Sequence, residues 1–181
     1  EMMLEIARFW ASIATYNRRL DRYEILGVMG PDEYHDGYPG AEEGGLNNNA
    51  YTNVMAVWVL KRAKELMDLL PYDVREELCD KLDITTDELM LWEDITKKMR
   101  LIFHADGIIS QFEGYEDLEE FDWEAYEKKY GNIQRLDRIL ESENDSPNRY
   151  KASKQADVLM LFYLLSAEEL VEIFEGLVYR F

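Results

Sequence analysis

The stretch NNNAYTNVMAVWVLKRAKELMDLL, residues 47 to 70, predicts a long helix with one apolar face. Asparagine is a preferred N-cap residue, because its side chain accepts a hydrogen bond from a free backbone amide of the first turn. Apolar residues then recur mostly at three- and four-residue steps, which is the period of a helix. They are Val54, Val57, Trp58, Ala63, Leu66 and Leu70. We therefore expect a helix over residues 49 to 70 that buries this face against other elements.

Helical patterns also lie on both sides of this stretch. Residues 1 to 17 place apolar side chains at helical spacing, and we expect them to form one helix. The segment TTDELMLWEDITKKMRLIF opens with Thr85 and Glu88 at the spacing of a capping box. A second helix is therefore expected from this box to the neighbourhood of Arg100.

The last third of the chain continues the same pattern. The segment DWEAYEKKYG predicts a short helix, and Ser146 with Pro147 has the order of an N-cap and a first helical residue. The apolar run after them starts at Ala156, and SAEELVEIFEGLVYRF restarts a helix with a capping box from Ser166 to Glu169. Since no alternating strand series and no fixed repeat occurs, the expected class is all-α, built from helical hairpins.

Composition narrows the kinds of partner. The 181 residues suffice for one domain, and 38 acidic against 20 basic residues give a formal net charge of -18. This charge repels phosphate backbones and anionic lipids, so we expect no nucleic-acid and no membrane partner. No apolar run long enough to span a membrane occurs, which favours a cytoplasmic protein. One cysteine and two histidines predict neither an internal disulfide nor a metal site.

The segment GVMGPDEYHDG, residues 27 to 37, concentrates polar side chains where glycine and proline exclude a helix. Loops on a rigid scaffold often carry catalytic groups, so residues 32 to 35 are functional candidates. Glu33 would suit the carboxylic acid that protonates the leaving oxygen in glycoside chemistry. The alternative is that Asp32 and Glu33 only complement the N-terminus of a short helix after Pro31.

Lys154 and Gln155 directly precede the apolar run ADVLMLFYLL. Near a helix start, backbone amides and a cation can together hold hydroxyl groups or an anion. A solvated pair of polar side chains is the alternative. Trp10, Tyr51 and Trp58 could stack on sugar rings, although aromatic residues at helical spacing more often belong to the core.

Four segments, in this order along the chain, together resemble glycoside hydrolase family 65: GVMGPDEYHDG, NNNAYTNVMAVWVL, GIISQFEGY and KQADVLMLFYLL. The family contains maltose, trehalose and kojibiose phosphorylases and some α-glucoside hydrolases. The resemblance implies that residues 1 to 181 are part of an (α/α)6 catalytic domain, a partial toroid of helical hairpins with long active-site loops. It covers only the later part of the barrel, without the family's N-terminal β-sandwich, early barrel or C-terminal β-rich part.

The resemblance also implies roles for individual residues. Glu33 in GPDEYH matches the family's general acid, and Lys154 with Gln155 in KQADV match the residues that contact the glucosyl unit. The implied reaction is inverting cleavage of an α-linked glucose disaccharide by inorganic phosphate, with no metal and no organic cofactor. A trehalose- or kojibiose-type hydrolase of the same family is the alternative.

Two family motifs are not found in this chain: the early-barrel FWD type motif that holds the sugar, and the Ser- and His-containing segment that shapes the phosphate site. We therefore expect a fragment that is inactive by itself, since catalysis needs the acid, the sugar contacts and the nucleophile site held together. A different interpretation is a helical interaction module without catalysis. In either case, apolar helix faces left exposed predict self-association into a homo-oligomer.

Overall fold

The computed structural model describes residues 1 to 178, leaving aside the side chains of residues 176 and 178. Its helices and strands are α1 (Met2–Ile13), β1 (Thr15–Asn17), β2 (Arg22–Glu24), α2 (Ala50–Leu69), α3 (Tyr72–Leu82), α4 (Thr86–Lys98), α5 (Trp123–Tyr130), α6 (Leu136–Ser142), α7 (Asp157–Leu164) and α8 (Ala167–Val178). Single 3-10 turns lie at Tyr115–Asp117 and Pro147–Arg149. The predicted all-α class is confirmed, with one short hairpin as its only sheet in the described part.

Helix α2 is the centre of the packing. It contacts α1, α4, α7 and α8, and these neighbours bury its residues Val57, Leu60 and Ala63 completely. From α4, Trp92 and Ile95 enter the same core without exposed surface. The Asn49 side chain caps α2 by accepting a hydrogen bond from the amide of Thr52 at 3.0 Å. The prediction of a helix over residues 49 to 70 is therefore confirmed, with α2 as the element on which the others pack.

The predicted helix over residues 1 to 17 is wrong at its end. Helix α1 stops at Ile13, and β1 pairs with β2 in antiparallel register, with Tyr16 opposite Tyr23. The two rings lie 5.0 Å apart, a cross-strand aromatic contact of the kind that stabilises hairpins. In the turn, the Asn17 side chain accepts from the amides of Arg19 and Leu20. The turn hydrogen bonds and the aromatic pair thus stabilise a hairpin after Ile13, although the spacing of apolar residues there is helical.

The predicted capping boxes form to different degrees. Ser166 and Glu169 make both bonds, from each backbone amide to the other side chain, at 2.9 and 3.2 Å. At α4, only the amide of Glu88 donates to the Thr85 hydroxyl, at 3.2 Å. The Glu88 carboxylate instead pairs with Arg8 of α1 at 2.7 Å, so a tertiary contact replaces half of the box. The predicted continuation of α8 through residues 179 to 181 lies outside the described residues.

Ser146 and Pro147 take the predicted N-cap and first helical positions, but of a single 3-10 turn that ends at Arg149 and does not continue into the apolar run. Ser146 accepts from the amide of Asn148, but the chain is extended again at Tyr150, where it bridges to Glu119. Lys151 donates its amide to the Glu119 carbonyl at 2.8 Å, which holds the segment extended. The helix starts only at Asp157. This non-helical segment, residues 150 to 156, positions Lys154 and Gln155.

Two small clusters of buried side chains anchor the loops outside the main core. Tyr34 packs with Phe121, Leu136, Leu140 and Ala152, and thereby seats the loop of residues 27 to 37 against α6. Leu46 packs with Phe112 and Leu118 in the second cluster, and Tyr38 packs against it.

Among the described residues, no helix is both long and apolar enough to cross a membrane.

Candidate active site

The structure brings Glu33, Lys154 and Gln155 into direct contact, although more than a hundred residues separate Glu33 from the other two. The ammonium group of Lys154 donates to Glu33 Oε2 at 2.6 Å, and Gln155 Nε2 donates to Glu33 Oε1 at 2.9 Å. The backbone amide of Glu33 returns a hydrogen bond to Gln155 Oε1 at 3.1 Å. The Glu33 side chain is 61% exposed, so this three-residue group faces solvent.

The contacts set the charge of Glu33. Hydrogen bonds from Lys154 and Gln155, with the positive charge of Lys154, hold the pKa of the Glu33 carboxyl below its ordinary value. In this arrangement Glu33 is a carboxylate, a hydrogen-bond acceptor and not a proton donor. Any role as an acid therefore requires that Lys154 and Gln155 first release it.

Asp32, next to Glu33, is turned the other way into the protein. It is only 6% exposed, and its Oδ1 accepts from the backbone amides of Tyr34, Lys154 and Gln155 at 3.2, 2.9 and 3.3 Å. Burial acts to raise the pKa of Asp32, but hydrogen bonds from His35 and the backbone outweigh it and hold this pKa below its ordinary value. No helix follows Pro31, so the alternative that Asp32 and Glu33 complement a helix N-terminus there is wrong.

His35 is the second buried polar residue of this loop, with 1% of its surface exposed. Its Nδ1 lies 2.6 Å from Asp32 Oδ2, and its Nε2 lies 2.9 Å from the carbonyl oxygen of Tyr150. The edges of Phe112 and Tyr115 close the ring off from water, with centroids 5.3 and 5.8 Å away. His35 thus contacts the start of the segment of residues 150 to 156, and Asp32 contacts the same segment near its end.

The contact between two buried residues behind the site, Asp157 and Asn49, was not predicted from the sequence. Asp157, the first residue of α7, accepts from Asn49 Nδ2 at 2.7 Å, which joins α7 to the N-cap of α2. Burial raises the pKa of Asp157, the hydrogen bond from Asn49 lowers it, and the negative charge of Asp32 adds to the net increase. An acid at the start of an otherwise apolar helix was the available signal, since such an acid needs a partner.

Gln111 and Asn148 also hold the site together. Gln111 Oε1 accepts from the amide of Asp157 at 2.7 Å, and its Nε2 donates to the Ser153 hydroxyl at 2.5 Å. Asn148 Oδ1 accepts from the amides of Asp36 and Gly37, and its Nδ2 donates to the Asp36 carboxylate at 2.7 Å. Both residues join loops that are distant in sequence, so nothing local distinguishes them.

The three aromatic residues that could have stacked on a sugar belong to the core. Trp10, Tyr51 and Trp58 are partly buried against the main cluster of apolar side chains. Trp58 also donates its ring N–H to Glu169 Oε1 at 2.9 Å, which fixes it between α2 and α8. The core interpretation is therefore the one that the structure supports.

Residues 1 to 176 match the family description "Glycosyl hydrolase family 65 central catalytic domain". The chain belongs to glycosyl hydrolase family 65. The match covers the loop of residues 27 to 37, α2, and the segment with Lys154 and Gln155 in one alignment. The resemblance inferred from the four motifs is confirmed.

Individual relatives of this family 65 chain carry more specific names. It is 58% identical, over its full length, to a protein of Mycobacterium tuberculosis described as an uncharacterized glycosyl hydrolase, and covers 14% of that protein. It is 40% identical to trehalose 6-phosphate phosphorylase of Lactococcus lactis subsp. lactis, over 99% of the chain and 22% of that enzyme. The chain thus spans about a fifth or less of the length of these relatives.

A solved structure shares the fold of this chain. It is described as "Putative kojibiose phosphorylase from human microbiome" and superimposes with a TM-score of 0.72 at 24% identity. The superposition covers 94% of this chain and 22% of that one. The helical arrangement described here is therefore a recurring one, and it is consistent with a partial helical toroid.

Proposed function

We propose that this chain is part of an inverting α-glucoside phosphorylase, with residues 1 to 181 forming part of its (α/α)6 catalytic domain. The observation that carries the proposal is the contact of Glu33 with both Lys154 and Gln155. A solvent-facing carboxyl group beside a cation and an amide offers a proton donor and two groups that can bind sugar hydroxyls. The name of the Lactococcus relative supports the phosphorylase reaction over other glycoside chemistry.

In the proposed reaction, Glu33 donates its proton to the glycosidic oxygen as the bond from that oxygen to the anomeric carbon breaks. An oxygen of inorganic phosphate attacks the anomeric carbon from the opposite face and forms the new bond. The products are glucose 1-phosphate with inverted configuration and the released sugar, whose new hydroxyl group carries the proton from Glu33. Because phosphate is already a nucleophilic anion, one protein carboxyl group is sufficient.

Lys154 and Gln155 have two proposed tasks, which compete. Without sugar they hold Glu33 as a carboxylate, and with sugar they bind the hydroxyl groups of the glucosyl unit. We infer that sugar binding takes these donors away from Glu33, so that the pKa of Glu33 rises and the acid becomes protonated. The proton would then be available only when a substrate is present to receive it.

The replacement Lys154→Met tests the first half of this inference. Because Lys154 lowers the pKa of Glu33, its removal should raise that pKa in the sugar-free protein. The measurement is a carboxyl-carbon NMR titration of selectively labelled glutamate, with the Glu33 signal assigned by its absence in Glu33→Gln. Lys151→Met is the matched control, since Lys151 pairs with Glu120 at 2.9 Å and not with Glu33. An unchanged Glu33 titration in Lys154→Met would contradict the inference.

Cleavage assays on the whole protein that carries this chain test the proposed function. We expect release of glucose 1-phosphate from at least one of trehalose, trehalose 6-phosphate, kojibiose and maltose, and only when inorganic phosphate is present. Release of free glucose without phosphate would favour the hydrolase alternative, in which a base-activated water replaces phosphate. The isolated chain is proposed to be inactive, and phosphate-dependent cleavage by it would contradict that.

One observation favours a second candidate function, a helical interaction module. Helix α7 exposes large apolar side chains, with Leu159, Phe162 and Tyr163 exposed by 66, 59 and 88%. Surface of this kind binds other apolar surface, in another protein or in a second copy of the chain. Self-association of the chain, together with no cleavage by the whole protein under any condition above, would favour this function over the phosphorylase.

A further inference from the structure

The carboxylate of one buried residue, Asp32, joins the loop of residues 27 to 37 to the segment of residues 150 to 156. The Oδ1 atom of Asp32 accepts three backbone amides, two of which belong to Lys154 and Gln155. These amides lie at 2.9 and 3.3 Å, and the Asp32 side chain is almost fully buried. Asp32 therefore fixes the backbone of the two residues whose side chains meet Glu33, the next residue along the chain from Asp32.

His35 completes this connection through both of its ring nitrogens. A backbone carbonyl can only accept a hydrogen bond, so the 2.9 Å contact with Tyr150 requires a proton on His35 Nε2. One proton joins His35 Nδ1 and Asp32 Oδ2 across the 2.6 Å contact. Both ring nitrogens of His35 and both side-chain oxygens of Asp32 therefore have hydrogen-bond partners inside the protein.

Asp32 and His35 together hold the segment of residues 150 to 156 at two points. His35 binds the carbonyl of Tyr150 at its start, and Asp32 binds the amides of Lys154 and Gln155 near its end. This segment is not helical, so no internal helical hydrogen bonds fix its backbone. The Asp32 and His35 contacts supply backbone partners that the missing helix would otherwise provide.

We propose that Asp32, oriented by His35, is a positioning residue for the proposed glycosyl transfer, which holds Lys154 and Gln155 at the distance from Glu33 that the reaction needs. The inference rests on the proposed function. Asp32 faces the interior and touches neither sugar nor phosphate in this role, so it acts only through the residues that it anchors. A displacement of about 1 Å in the reacting groups can lower the rate on the order of 100-fold. We expect a rate loss of this size when the Asp32 hydrogen bonds are removed.

Three variants of the whole protein separate this role from a merely structural one. Asp32→Ala removes the acceptor and should lower kcat by on the order of 100-fold, with a higher KM for the disaccharide. Asp32→Asn keeps an oxygen for the backbone amides, and its NH2 group can donate to a neutral His35 that still donates to Tyr150. This variant should therefore recover kcat to within about tenfold of the wild type. Glu42→Gln, the corresponding change at an exposed acid in the connection between β2 and α2, should have no effect on either constant.

Kinetic constants are compared per folded molecule, after circular dichroism has established the folded fraction. Hydrogen exchange by mass spectrometry provides the readout that does not depend on activity. In Asp32→Ala, the peptide over residues 150 to 157 should exchange at least about tenfold faster, while the α4 peptide keeps its wild-type rate. Glu42→Gln should leave both peptides unchanged.

The outcomes separate this inference from the proposed function. Wild-type kcat, KM and exchange in Asp32→Ala would overturn the positioning role in an active enzyme. Asp32→Asn as impaired as Asp32→Ala would also overturn it, because the hydrogen bonds would then not be what matters. If the wild-type protein cleaves no disaccharide, the proposed function fails and this role fails with it, whatever the exchange rates show.

Discussion

Replacement of Glu33 by glutamine is expected to lower kcat for disaccharide phosphorolysis by about 1000-fold, within the range that a general acid contributes. Glutamine has almost the same size and can still accept a hydrogen bond from Lys154, but it has no proton to give to the glycosidic oxygen. The loss should therefore appear in kcat with a small change in KM. The measurement is steady-state kinetics of the whole protein with saturating phosphate.

A substrate that needs no acid makes this prediction specific. Fluoride leaves an α-glucosyl fluoride without protonation, so Glu33→Gln should retain most of the wild-type rate with this donor and phosphate. Glu42→Gln, the same change at an exposed acid in the connection between β2 and α2, is the matched control and should keep activity on both donors. An equal loss on the disaccharide and on the fluoride would contradict the acid role of Glu33.

The replacement Gly30→Ala is expected to lower kcat on the order of 100-fold, because it should displace the loop of residues 27 to 37 and with it Glu33. A methyl group at Gly30 would overlap the Asp157 carboxylate and the Asn49 amide. These groups cannot simply move aside, because they are buried, bind each other at 2.7 Å and, through Asn49, cap α2. Overpacking of this kind typically costs about 1–3 kcal/mol, so the thermal unfolding midpoint should also fall.

Gly37→Ala is the control for this steric argument. A methyl group there would meet its nearest neighbour, the Cα of Gly44, at 3.4 Å, which is close to ordinary van der Waals contact. Both glycines lie in the same loop and neither has a positive φ angle, so only the available space differs. The measurements are kcat and the unfolding midpoint of the two variants. Equal behaviour would show that the contact of Gly30 with Asp157 and Asn49 does not hold the loop.

Local patterns predicted the helices well and their ends less well. The cap at Asn49 and the two capping boxes act over four residues, so the sequence contains all that they need. The end of α1 depends instead on the pairing of Tyr16 with Tyr23, and half of the Thr85 box is lost to an ion pair with Arg8. Such competing contacts join separate elements, and single-segment periodicity does not contain them.

The candidate site also combines features that local motifs predict with contacts that only the fold creates. Its three predicted residues lie in two motifs, and each motif was recognised without knowledge of their distance. Asp32 and His35 were candidates from the sequence, but their contacts with residues 150 to 155, and the pair of Asp157 with Asn49, were not predicted. Each of these contacts is made by a buried polar group, whose partner is determined by what the folded core places beside it.

The sequence by itself thus determined the helical class, the family, and which side chains to examine, because periodicity, caps and motifs are short-range properties of the chain. Only the tertiary structure decided that Glu33 is held as a carboxylate by Lys154 and Gln155, and that Asp32 fixes the backbone beneath them. The physical reason is burial. Hydrogen-bond partners stabilise polar groups that are removed from water, and for Asp32 and Asp157 the folded chain supplies such partners from more than 100 positions away.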